Sequence, residues 1–150
     1  VMVMLSKNFS LDEMLKSQTA ERMGIANNPD ADAIYNLGRL AENVLQPLRN
    51  EYGAFMVSSG YRSVELCNAI GSKATSQHAK GEAADFEICG ISNFDLAEWI
   101  SDNLEYDQLI LECYKGGNTG WVHCSFVPNG RKENLTFDRT QGYRKGLLEK

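Results

Sequence analysis

The chain has 150 residues, 43% of them apolar and 23% charged, with a formal net charge of −5. That length fits one domain with a real core, and the acidic balance argues against a nucleic-acid partner, which normally meets a basic face. No apolar run reaches the roughly 18 residues of a membrane span, so membrane insertion is not expected.

The first ten residues, VMVMLSKNFS, lack the basic start and the apolar stretch of a secretory signal. Synthesis in a cytoplasm is therefore expected. Ser10, followed three residues later by Glu13, forms a capping box. The helix it opens carries Leu11, Met14 and Leu15 and stops at Gly24. A second helix is predicted from Asn28 as its cap, with Pro29 in the first turn and Asp30 and Asp32 at the positive end. Ile34, Leu37, Ala41, Val44, Leu45 and Leu48 form its apolar stripe, Pro47 bends its last turn and Gly53 closes it.

Phe55 to Val57 reads as a short strand with SSG as its exit loop, and Ser63 caps a short helix in VELCNAIG. AADFEIC alternates: Ala84, Phe86 and Ile88 share one face and Asp85 and Glu87 the other, the pattern of a half-buried strand. Ser92 and Asp95 open another helix. DQLILECY and GWVHCSFV are strands joined by KGGNT, a hairpin signal. Residues 128–150 are polar and mixed and are read as a tail behind a core of about residues 6–127. Leading helices and a closing hairpin define an α+β domain: N-terminal helices packed on a mostly antiparallel sheet. It is expected to be a monomer.

The four cysteines, Cys67, Cys89, Cys113 and Cys124, form no C-x-x-C pair, which argues against a zinc knuckle. They read as small buried hydrophobes, with a Cys113–Cys124 disulfide across the hairpin as the alternative.

Only two histidines occur. His78 stands in TSQHAKGEAADFE, seven residues before Asp85 with Gly81 between, and His123 stands in GWVHCSF. A hydrolytic zinc takes three protein ligands and leaves one position open. His78 in a loop, Asp85 on the following strand and His123 on the last strand could supply them. His123 shares a strand face with Trp121 and Ser125 and faces away from Val122 and Cys124. With the hairpin turn centred between Gly117 and Asn118, Glu112 falls opposite His123 and Tyr114 opposite Trp121. Glu112 would then serve as general base. Arg62, in a loop after a strand, suits a substrate carboxylate or an oxyanion. Taken singly each residue has a bland reading: a structural histidine, wet-face acids on strands, a surface salt bridge at Arg62, and core or pocket-wall positions for Tyr61 and Trp121.

The joint pattern resembles the zinc D-Ala-D-Ala carboxypeptidases and their phage endolysin relatives. The family pattern S-x-H-x-x-G-x-A-x-D is matched by SQHAKGEAAD, Ser76 to Asp85. SGYRS is present at Ser59 to Ser63, and W-x-H at Trp121 to His123. FSLDEMLKSQTAERMGIANNP and LQPLRNEYG also resemble the phage-type branch. The resemblance implies zinc held by His78, Asp85 and His123, and Arg62 as carboxylate anchor, with Ser76, Tyr61 and Trp121 beside the substrate. It implies the small α+β fold shared with the hedgehog signalling domain and the lysostaphin-type peptidases. It implies a peptidoglycan stem peptide as substrate, cut at its D-Ala-D-Ala end or at an internal bond, with action on the wall after release from the cell. Many members carry an acidic base three residues before the last zinc histidine. Gly120 occupies that position here, which leaves Glu112 as the candidate. Two other readings remain open at this stage: a non-catalytic wall-peptide or protein binding module on the same fold, and a cysteine hydrolase. Against the second, Cys124 alternates to the face opposite His123.

Overall fold

The computed structural model describes residues 2–149. The Ser10–Glu13 box forms: the Ser10 hydroxyl accepts from the Glu13 N–H and the Glu13 carboxylate accepts from the Ser10 N–H. The helix it starts is only Leu11–Leu15 (α1), and a second, Gln18–Met23 (α2), follows where one continuous helix was predicted. The break has a cause in hydrogen bonding. The Met14 and Leu15 carbonyls are taken by the Tyr61 N–H and the Asn27 side chain. Ser17 then caps α2 anew through the Ala20 N–H, and Gly24 ends it as expected.

The third helix, Ala31–Leu40 (α3), is capped by Asp30 rather than Asn28, because the Asp30 carboxylate reaches the Ala33 N–H at 2.8 Å. It runs into a π-helical turn, Ala41–Leu45, and then Gln46–Tyr52 (α4). Pro47 explains the widened turn. It has no N–H to give to the Asn43 carbonyl, and within the wider turn the Gln46 N–H reaches back to Ala41 instead. Leu37, Ala41, Val44, Leu45 and Leu48 of the predicted stripe are buried, together with Leu40.

Val57–Ser59 (β1) leads through the SGYR loop to Val64–Ala69 (α5), which Ser63 caps through the Leu66 N–H. After Ala83–Phe86 (β2) comes Asn93–Asn103 (α6), capped by Ser92. Gln108–Glu112 (β3) and Trp121–Ser125 (β4) form the predicted antiparallel pair. The residues beyond Pro128, left without an assigned element above, add Glu133–Asp138 (β5) and Gly142–Lys145 (β6) to the sheet.

The six strands lie in the order β1-β2-β4-β3-β5-β6, antiparallel except for the parallel pair β3–β5. The architecture is thus α+β, with a C-terminal hairpin of β5 and β6. One sheet face meets the helices: Ala84, Phe86, Leu109, Leu111, Val122 and Cys124 join Leu37, Leu40, Leu45, Leu96 and Ile100 in one core, all without exposed surface. Each fully buried Leu or Phe stabilises the fold by about 1.5–3 kcal/mol before entropy is counted. Cys124 lies in that core as a free thiol, and Cys113 is free as well, so the disulfide alternative does not form. No helix among the described residues is long and apolar enough to cross a membrane.

Candidate metal centre

The opposite sheet face carries the polar residues, and its rows follow from the register. Asp85 on β2 pairs with His123 on β4, which pairs in turn with Ile110 on β3. One row along, Trp121 pairs with Glu112. This corrects the register expected from the sequence, in which Glu112 faced His123 and Tyr114 faced Trp121. The hairpin loop spans Cys113 to Gly120, both at positive φ, so the strands meet two residues further from the loop on one side. A two-residue shift preserves the face, and Glu112 remains beside the His123 row as its diagonal neighbour. Gly120 is required there: its φ is +68°, and a Cβ would lie 2.0 Å from the Glu112 carbonyl oxygen. An acidic residue at position 120 could not accompany this hairpin.

His78 stands on a single 3-10 turn, Gln77–Lys80, capped by the Ser76 hydroxyl, which accepts from the His78 N–H. Gly81 ends the turn at φ +74°, where a Cβ would meet the Ala33 carbonyl oxygen at 2.4 Å. That close pass against α3 turns the chain into β2 and brings His78 back over Asp85. His78 Nδ1 lies 2.7 Å from the Gly60 carbonyl oxygen. A carbonyl only accepts, so this nitrogen carries the proton and Nε2 offers its lone pair, 3.3 Å from Asp85 Oδ1. His123 Nδ1 lies 2.9 Å from the same oxygen. One ligand atom from each of His78, Asp85 and His123 falls within 4.8 Å of the others.

Burial opposes ionisation of Asp85, yet the hydrogen bond from His123 and the closeness of the second imidazole outweigh it and hold the carboxyl below the usual carboxylate range. The carboxylate has further support. Arg62 Nη2 donates to Asp85 Oδ2 at 3.0 Å, and Arg62 Nε donates to the Ser59 hydroxyl at 2.8 Å. Arg62 is therefore braced against Asp85 as well as facing the groove. Two imidazole nitrogens and a carboxylate oxygen crowding one point form a donor set that fits zinc and its divalent neighbours.

The cluster opens into a groove of about 640 Å³ lined by Arg62, Ser76, His78, Asp85, Glu112, Trp121 and His123 among others. Trp121 Nε1 donates to Glu112 Oε2 at 2.9 Å, so its indole N–H is engaged by the carboxylate. Burial first, and then the charge of Asp85, push the Glu112 carboxyl up. Tyr61 is not brought to the groove: it is 7% exposed, belongs to the core and donates its hydroxyl to the Asn28 carbonyl.

Sequence reasoning missed a supporting network at the rim. Asp107, buried just before β3, accepts from Arg131 Nε and Nη2, from the Arg131 N–H and from Gln77 Nε2, all at 2.9–3.0 Å. The Arg131 guanidinium, ahead of burial's opposing effect, brings the Asp107 carboxyl down to about 2. Gln77 immediately precedes His78, so this network also fixes the 3-10 turn. One signal was available: an acid opening the apolar strand QLIL needs a cation once it is buried. Tyr143 also lines the groove, from β6.

Fold and site together define a small α+β domain with a His–Asp–His cluster at the floor of an open groove, the arrangement of a metal-dependent hydrolase. The chain belongs to the Peptidase M15 family, whose model matches residues 7–125. M15 peptidases are typically zinc-dependent, and membership makes this chain a metallopeptidase by class. No curated protein matches it.

Proposed function

We propose that the protein is a zinc peptidase hydrolysing the peptides of peptidoglycan, and that it serves a phage or prophage as a wall-lytic enzyme. The carrying observation is the convergence of His78, Asp85 and His123 within 4.8 Å on the same sheet face as Glu112. These three side chains would hold the ion. Zinc in such a set supplies Lewis-acid polarisation of a peptide carbonyl and acidification of water.

The remaining roles belong to the chain. Glu112 keeps Oε2 on the Trp121 N–H, which leaves Oε1 to accept the proton of the attacking water and later deliver it to the departing amine. Its raised pKa suits both halves of that transfer. Arg62 orients Asp85 through Nη2 and keeps a further N–H group at the groove for a substrate carbonyl. Ser76 fixes His78 by capping its turn, and it lines the groove where a peptide would pass.

The test is direct. Zinc-loaded protein should release peptide fragments or D-alanine from purified cell walls, and chelation should stop the release. Hydrolysis that persists after the metal is removed sinks the reading.

A further inference from the structure

A second groove, of about 660 Å³, lies beyond β1, and Arg62 lines both it and the groove of the metal cluster. Its lining includes Thr19, Met56, Val57, Leu66 and Ile70. Met56 is 77% exposed and Ile70 42%, an apolar surface with no cover in the fold. β1 is the terminal strand of the sheet, so among the described residues one edge of Val57–Ser59 has no strand beside it.

The placement of the cluster within the sheet gives this groove a meaning. Three strand steps, from β4 through β3 and β5 to β6, extend to one side of His123. At about 4.8 Å per step they span roughly 14 Å, room for about four extended residues at about 3.3 Å each. On the other side, from Asp85 on β2, a single step reaches β1 and the sheet ends. A cleft built for a terminal bond closes about there, on a wall or on an uncommitted cation that takes the free carboxylate. There the second groove begins, and Arg62 lines both grooves. The cation at that point, Arg62, already gives Nε to Ser59 and Nη2 to Asp85.

We infer that an extended peptide runs through both grooves past Arg62, which places the metal cluster beside an internal peptide bond rather than a terminal one. This rests on the peptidase reading above. The apolar side chains of the second groove, Met56 and Ile70 among them, offer contacts to the peptide's methyl groups.

The experiment uses the zinc-loaded full chain carrying Glu112→Gln, with methyl-labelled Met and Ile, and two probes: a cross-linked dimer of stem peptides, and a single stem ending in D-Ala-D-Ala. The dimer is expected to shift the methyl resonances of Met56, Ile70 and Ile110, and the single stem that of Ile110 alone. In parallel, the unsubstituted enzyme should separate cross-linked stems without releasing free alanine. Ile70→Glu, or Met56→Ala should the first fold poorly, should raise KM for the dimer, at least tenfold for Ile70→Glu. Met56 and Ile70 unmoved by saturating dimer while Ile110 shifts, or free D-alanine as the only product, would overturn the inference. Shifts in both grooves with no bond cut would support the two-groove path and bring down the peptidase reading instead.

Discussion

Strands β2, β3 and β4 present two faces built from alternating residues of the same short segments, and the faces obey different rules. Toward the helices stand Ala84, Phe86, Leu109, Leu111, Val122 and Cys124, none with exposed surface. Toward the groove stand Asp85, Ile110, Glu112, Trp121 and His123. Because neighbours along a strand point apart, one residue can serve stability while the next serves chemistry. The site is held rigid by the core directly beneath it. The comparison also shows why a strand can carry a buried acid such as Asp85: its cost is met by Arg62 and the two imidazoles on the groove side, not by the core.

The contrast can be broken from the groove side first. Chelation, or His123→Ala, should abolish hydrolysis and bound zinc together while the thermal unfolding transition remains cooperative. Zinc titration beside a wall-lysis assay reads both. Glu112→Gln should lower kcat by about 10²–10⁴-fold with zinc stoichiometry unchanged. A non-catalytic binding module would show no turnover before or after that change.

From the core side the effects should invert. Leu111→Ala should cost about 2–5 kcal/mol in denaturant unfolding, with kcat per folded molecule nearly intact.

The smallest effect is expected at the rim. The Asp107 carboxyl is depressed to about 2 by Arg131, so the pairing contributes stability above the unfolded value of about 3.9. That contribution disappears as the pH falls through about 2. Arg131 is more than half exposed, so Arg131→Ala should cost about 1 kcal/mol at neutral pH, and the two stability curves should converge near pH 2. Curves that stay parallel down to pH 2 would show that the pair does not act through this carboxyl.

What was legible in the sequence follows the range of the interactions. Ser10, Ser63 and Ser92 each cap a helix through a side chain that bonds three residues ahead, so a local pattern suffices to find them. The alternation around Asp85 and His123 is equally local. The break at Lys16 was not legible, because the Tyr61 N–H that takes the Met14 carbonyl comes from far along the chain. The hairpin register failed for a backbone reason: Cys113 at positive φ carries no residue-type signal, unlike a glycine. Arg131 was lost with the whole of β5 and β6. Their strand pattern is short and polar, and β5 joins β3 by parallel pairing across about 25 residues. Tyr61 stayed open between core and pocket wall, because an aromatic next to a site arginine gives no sign of which way it turns; it takes the core position.

That parallel pairing reaches past the boundary of the family match at residue 125. β5 covers the outer backbone edge of β3 along its whole length, from Gln108 to Glu112, and β6 in turn covers β5. A chain trimmed to the matched segment would expose a bare row of amides on an otherwise apolar strand, a template for edge-to-edge self-association. Expression boundaries drawn from family resemblance alone should therefore yield insoluble material, and the two strands β5 and β6 act as the guard on that edge.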